Sequence, residues 1–367
     1  MLIRMPGSEV RRKPSPWSSP LARFVRRRLL IGIIVLMGIS IISFSTVYLL
    51  PGDPVTSRFP ELSAHERKAI RAAMGLDQPL PVQYWRYMGS VFKGEFGFSY
   101  NTGNPVVEDL KVRVPATLEL AAFALLIALV IGMPLGVIAA VRRNQFVDHL
   151  ARLFTIGTLS IPAFWVGVLF IYVFFYLLHW APAPTGRLSL TVIAPPTVTG
   201  FLTIDSLLAQ DEQALLGALR SLIFPAIVLG LSVVAPISRI TRSAMSEALQ
   251  EDYITFARAV GVPEREVILR DAFRGSLVAV LTITGYIVGY LMGGAALVET
   301  VFAWPGIGRY AVEAIVTSDM APINTVLLFV AFGVAMTNML VDLGYAVIDP
   351  RIREGFVGQE GKDTRTT

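Results

Sequence analysis

The chain has 367 residues, 54% of them hydrophobic and 16% charged, with a mean hydropathy of +0.60, an apolar share above and a charged share below those of ordinary soluble domains. Its lack of cysteine excludes disulfides, thiolate metal sites and cysteine nucleophiles. The three histidines, His65, His149 and His179, stand too far apart for metal-ligand spacing, so no metal site is assigned.

The net charge of +5 is drawn largely from Arg11, Arg12, Lys13, Arg23, Arg26, Arg27 and Arg28, immediately before an apolar run. That is where a cytoplasmic membrane flank belongs, and it argues for lipid rather than nucleic acid as the neighbour. Pro6, Pro14, Pro16, Pro20 and several serines give the same stretch a composition that cannot bury a core, so residues 1–28 are expected to be a disordered basic cytoplasmic tail.

A helix crossing a hydrocarbon core of about 30 Å needs roughly 20 apolar residues. Uncharged runs of that kind fall at Leu29–Pro51, Leu120–Val141, Leu153–Leu178, Ser221–Ser238, Gly275–Val298 and Met320–Val341. The fold class expected is therefore an all-α integral membrane protein with six transmembrane helices. The first run is too long for a signal-peptide core, and no A-x-A cleavage site follows it, which marks it as an anchored helix. The organisation expected is a first span at 29–51, an external segment at 52–113, a membrane core at 114–349 and a cytoplasmic tail at 350–367. The N-terminal tail, 142–152, 239–274 and the C-terminal tail together hold 21 of the 32 Lys and Arg residues, which puts both termini in the cytoplasm. Pro134, Pro162, Pro225 and Pro236 lie within the runs and imply kinked helices. Glu119, Arg220, Glu299 and Asp342 sit toward span edges, whereas an ion-coupled carrier needs charges deep in the membrane.

In the external segment Ser63-Ala64-His65-Glu66 has capping-box spacing, Gly75 closes the short helix that follows, and a second helix starts near Pro81. Its Tyr84, Trp85, Tyr87 and Phe92 suit either the membrane surface or an external partner. In the loop 239–274, Met245, Leu249, Tyr253, Phe256 and Val260 recur at helical spacing and predict one apolar stripe. Gly261 suits a left-handed turn, and Pro263 with Glu264 and Glu266 suits the first turn of a new helix. From pattern alone this helix–turn–helix fits a pair lying on lipid headgroups as well as it fits a docking element.

The stretch Glu251-Asp252-Tyr253-Ile254-Thr255-Phe256-Ala257-Arg258-Ala259-Val260-Gly261 resembles the coupling loop of ATP-binding-cassette importer permeases of the dipeptide, oligopeptide and nickel family. Leu50-Pro51-Gly52-Asp53-Pro54, Gly75-Leu76-Asp77-Gln78-Pro79, Gly94-Glu95-Phe96-Gly97-Phe98-Ser99 and Val114-Pro115-Ala116-Thr117-Leu118-Glu119-Leu120 resemble that family's first permease subunit in the same order. So do the stretch from Glu299 through Trp304-Pro305-Gly306-Ile307-Gly308 and the sequence Asp349-Pro350-Arg351-Ile352-Arg353. Val260 and Asp271 depart from the family's usual lysine and histidine.

The resemblance implies a type I ABC importer permease fold in the bacterial plasma (inner) membrane. It implies an ATPase-coupling role for Met245, Leu249, Asp252, Tyr253, Phe256, Ala257, Arg258 and Gly261, and assigns no catalytic, substrate-binding or metal residue. The partners it implies are a second permease, one or two cytoplasmic ATPases that hold ATP and Mg, and an extracytoplasmic solute-binding protein, with lipid around them. The chain has no phosphate loop of its own: Gly361-Lys362 is followed by Asp363, and Phe356 stands where the first glycine is needed. The solute expected is a di- or oligopeptide, with nickel, a metal chelate or glutathione as alternatives. An ion-coupled secondary transporter or a respiratory-complex subunit is the competing class.

Overall fold

The computed structural model describes residues 20–49, 61–189 and 191–348, and among these it is helical with no strand. The Leu50–Pro54 and Asp349–Arg353 motifs and both outermost tails lie outside the described residues. In chain order the helices are α1 (Pro20–Leu49), α2 (Ala64–Met74), α3 (Leu80–Phe92), α4 (Val106–Val141), α5 (Phe146–Ser160) and α6 (Ala163–Phe170, continued as a π-helix over Ile171–Leu177). They continue with α7 (Leu202–Leu208), α8 (Glu212–Ala248), α9 (Asp252–Ala259), α10 (Phe273–Gly294), α11 (Ala296–Val301), α12 (Ile307–Val316) and α13 (Met320–Ile348). A short turn at Glu264–Glu266 and a π-helix at Val267–Ala272 lead into α10.

Five stretches are long and apolar enough to cross a membrane, and the pair Phe146–Thr158 and Ala163–Leu177, bent by 92°, makes a sixth if it is one span. The spans run beyond the apolar runs. α1 starts at Pro20, so residues 20–28 are helical where a disordered tail is expected, and α4 starts at Val106 with Pro115 inside it. α4 continues past its hydrophobic stretch because Glu108 and Asp109 in its first turn suit the positive end of the helix dipole, whereas α1 has no acid there and is extended by good helix formers, leucine, alanine and arginine, behind a proline at its first position. The run Leu153–Leu178 is two helices instead of one: Ile161 adopts an extended backbone before Pro162, whose ring disfavours the helical conformation of its predecessor, and Pro162 caps α6.

The core is built around α4 and α8, which share the most extensive contact among the described residues. Small residues allow it. Ala116, Ala124 and Ala128 of α4 are fully buried against Leu222, Leu229 and Val234, and a methyl group added at Gly136 would collide with Ser238 and Thr241 of α8. Lipid tails are as apolar as leucine, so helices in a membrane gain by close packing of this kind instead of by hydrophobic exclusion.

At the end of the bundle where residues 61–105 lie, buried acids fasten loops to helices. Ser63 and Glu66 form the capping box, and Gly75 has φ +70°. In α3, Tyr84 hydrogen-bonds Ser40 of α1 at 2.7 Å, and Tyr84 and Tyr87 pack on Phe44, so only Trp85 and Phe92 of the four aromatic residues face outwards. Asp319 accepts from the Ser99 hydroxyl and the Tyr100 amide, each at 2.8 Å, and Asp109 accepts from the Tyr310 hydroxyl at 2.7 Å. Glu119 is paired with Arg187 at 2.6 Å. Glu299 accepts from Thr117 at 2.6 Å and from the backbone of Arg309, in the first turn of α12, at 2.9 Å, while Trp304 donates to the Ala116 carbonyl. The short loop between α11 and α12 is thus locked by the buried acid of α11, and a side chain at Gly306 would displace the Glu299 carboxylate. Glu119 and Glu299 are both almost fully buried and bonded within the chain.

Candidate functional site

At the opposite end, α8 continues below the bilayer-length apolar run as far as Ala248 and then stops. The Gln250 side chain donates to the Ser246 carbonyl at 2.7 Å, satisfying one of the carbonyls orphaned at a helix end. Backbone bonds Gln250→Glu247 and Glu251→Ala248 tighten the turn, and Glu251 enters α9 in an extended conformation. Asp252 is in the first turn of α9, where a negative charge suits the helix dipole.

This break divides the expected stripe. Met245 is fully buried on α8 and Leu249 half-buried at its cap, but Tyr253 and Phe256 belong to a separate helix with Val260 as its cap, and the three are 47, 69 and 61% exposed. The phase of a helical pattern is lost when the chain turns, so five residues at continuous helical spacing do not share a face here. The residue that seats α9 is Ile254, fully buried with Met245, Ala248, Ala140, Val267 and Ala272, with Ala257 and Val262 packed alongside. Burial of an isoleucine contributes about 2 kcal/mol. Sequence periodicity does not single out Ile254, because it lies between Tyr253 and Phe256 in an almost wholly apolar stretch. Tyr253, although exposed, reaches back so that its hydroxyl lies over Gly275.

The turn out of α9 is where the glycine is needed. Gly261 has φ +84°, its amide donates to the Arg258 carbonyl and the Val262 amide to the Ala257 carbonyl, each at 3.1 Å, which is a Schellman closure. Arg258 forms a two-bond fork with Glu264 across this turn, at 2.7 and 3.1 Å. Both side chains are about half exposed, so the pair is worth no more than about 1 kcal/mol. Pro263 caps the Glu264–Glu266 turn, which passes through the π-helix directly into α10.

Just above the hairpin a second fastening joins α8 to the α4–α5 turn. Asp148, fully buried, accepts two bonds from Arg242 of α8 at 2.8 and 3.0 Å, two from Arg152 and one from the Asn144 amide. Neither Asp148 nor Arg242 belongs to the expected site. The signal available was an acid in the first turn of a helix facing arginines from two segments, which spacing alone does not pair.

The arrangement has no group of three or more His, Asp or Glu side chains among the described residues that could hold a metal. His65 and His149 are exposed on α2 and α5, and the His179 ring bonds the Phe175 carbonyl. What the site offers is mechanical: an exposed patch of Tyr253, Phe256 and Val260 on a short helix whose other side is seated in the base of the bundle.

Residues 132–354 match the family described as binding-protein-dependent transport system inner membrane component, and residues 21–121 match its N-terminal membrane component. The chain is 42% identical over 329 residues to the probable D,D-dipeptide transport system permease protein DdpB of Escherichia coli (strain K12), covering 88% of this chain and 95% of that one. It is 40% identical over 332 residues to the di/tripeptide transport system permease protein DppB of Pseudomonas aeruginosa (strain UCBPP-PA14), covering 90% and 98%. Against the dipeptide transport system permease protein DppB of Escherichia coli (strain K12) the identity is 38% over 338 residues, covering 91% and 99%.

Proposed function

The chain belongs to the family of binding-protein-dependent transport system inner membrane components, and from that premise we propose that it is a permease subunit of an ATP-driven importer of di- or oligopeptides. The observation that carries the solute is the 38–42% identity, over about nine-tenths of the chain, to permeases named for dipeptide and tripeptide transport. The chain is a transport component, and ATP with its Mg ion is held and hydrolysed by separate cytoplasmic subunits. A second permease completes the pathway, and an extracytoplasmic binding protein delivers the solute.

In this reading the hairpin is the joint with the ATPases. A patch holding two large apolar side chains, Tyr253 and Phe256, on an eight-residue helix is unfavourable to leave in water. The same helix is rooted through Ile254 and Met245 in the membrane helices, so a force on the patch reaches α8 and α10. Asp252, Ala257, Arg258 and Gly261 serve as the helix start, its seat, its turn fork and its turn. Both termini and the hairpin are cytoplasmic, on the side that holds most of the Lys and Arg residues.

Uptake of a panel of labelled peptides by a strain lacking the gene tests the solute. Loss of dipeptide uptake, restored by the gene, is expected; unchanged peptide uptake with loss of nickel or glutathione uptake would replace the solute while keeping the family.

A further inference from the structure

α10 follows the hairpin with only the Glu264–Glu266 turn and the π-helix between them. Two of its faces differ in kind. Gly285, Gly289 and Gly293 recur every fourth residue, and a methyl group added to each would meet Val341, Val334 and Val330 of α13 in turn. That close approach fixes the rotation of α10 about its own axis. Tyr286 and Tyr290 each follow one of these glycines by one residue, which turns them about 100° away from the α13 contact. They are 70 and 49% exposed, and Thr282, one turn earlier, is exposed as well with its hydroxyl bonded to the Val278 carbonyl.

The first and last spans leave open surfaces made of different residues. α1 presents Leu30, Ile33, Ile34 and Ile42, and α13 presents Leu327, Phe332 and Leu340, all suited to lipid tails. Tyrosines do occur at headgroup level, and exposed Tyr172 and Tyr176, stacked on each other, both lie in the π-helix that ends their span at Leu177. Tyr286 does not fit that explanation. It lies about 18 Å along the helix from Arg274, the last charge before the span, close to the middle of a hydrocarbon core about 30 Å thick. A phenol hydroxyl facing lipid at that depth loses its hydrogen bonds to water without replacement.

We propose that Thr282, Tyr286 and Tyr290 form part of the wall of the solute pathway, on the helix that the coupling hairpin drives. The inference rests on the reading of the chain as a peptide-importer permease. A ladder of phenol rings and hydroxyls offers apolar surface to varied side chains and hydrogen bonds to peptide amides, without a fixed charge that would hold one class of peptide.

The absence of cysteine makes the test direct. Tyr286→Cys, Tyr290→Cys and the control Leu327→Cys are each prepared in the complete complex in proteoliposomes, and the rate of modification by a water-soluble methanethiosulfonate is measured with and without ATP and a dipeptide. A thiol in hydrocarbon has its pKa raised by a unit or more and reacts only as the thiolate, so the pathway positions are expected to react at least about tenfold faster than the control. Dipeptide is expected to slow them. Rates at both positions as low as the Leu327→Cys rate in every nucleotide state would overturn the wall assignment, placing the tyrosines against lipid or buried against the second permease. Fast labelling slowed by a different imported solute and not by dipeptide would keep the wall and remove the peptide reading. Thr282→Cys, a small change, supplies the same readout if the tyrosine replacements fail to assemble.

Discussion

Gly261 shows how a single residue can be required for its backbone alone. Its φ is +84°, and a methyl group added there would meet nothing within 4 Å, so space is not what excludes a side chain. A β-branched residue held at that φ costs of the order of 1 kcal/mol or more, whereas asparagine tolerates it. Gly261→Val is expected to leave the spans inserted but reduce co-purification of the ATPases and peptide uptake, and Gly261→Asn is expected to retain most of both. Equal, full recovery of ATPases with both variants would remove Gly261 from the joint. This turn is legible in the sequence because Gly261, Pro263 and the acids after it are local signals. The role of Glu299 is less so: the bonds Thr117–Glu299 and Trp304–Ala116 each join residues more than 180 apart in the chain, and no local pattern pairs them.

At the scale of the element, the hairpin separates two apolar positions that look alike in sequence. Phe256 is 69% exposed and Ile254 fully buried. Phe256→Asp is expected to change the thermal stability of the purified chain by no more than about 0.5 kcal/mol while abolishing ATPase co-purification. Ile254→Asp places an unpaired charge in the cluster with Met245 and Val267, and is expected to destabilise the chain by about 3 kcal/mol or more. If thermal unfolding in detergent ranks the two variants the other way, the seating of α9 is wrong. Asp148 gives a companion test: removing it as Asp148→Ala strips Arg242 of its fork, and because both arginines retain access to water the expected loss is nearer 1–3 kcal/mol, read as a lower unfolding midpoint. Periodicity reveals that a helix is present in 245–260 but not where it breaks, since the break depends on a Gln250 side chain capturing a carbonyl. The same limit applies at Ser160–Pro162, where an unbroken apolar run reads as one span and the proline turns it into two helices.

Over the whole molecule, the number of apolar runs is a long-range average, which is what sequence reads well; six runs correspond to five candidate spans and one bent pair. The distribution of arginine and lysine is an average of the same kind and gives an expected direction of insertion. With 21 of 32 basic residues on the side of the termini and the hairpin, that side is expected to face the cytoplasm. In a cysteine-free chain, single cysteines report this directly, provided the chosen positions are accessible. Ser246 is a poor reporter, because its hydroxyl is buried. Glu251, at the turn before α9, and Glu95, in the loop after α3, are both exposed and lie at opposite ends of the bundle. An impermeant thiol reagent added to intact spheroplasts is expected to label Glu95→Cys at once and Glu251→Cys only after permeabilisation. Labelling of Glu251→Cys in sealed cells, with Glu95→Cys protected, would invert the molecule. The hairpin would then face away from the only compartment that supplies ATP, and the coupling assignment would fall with the topology.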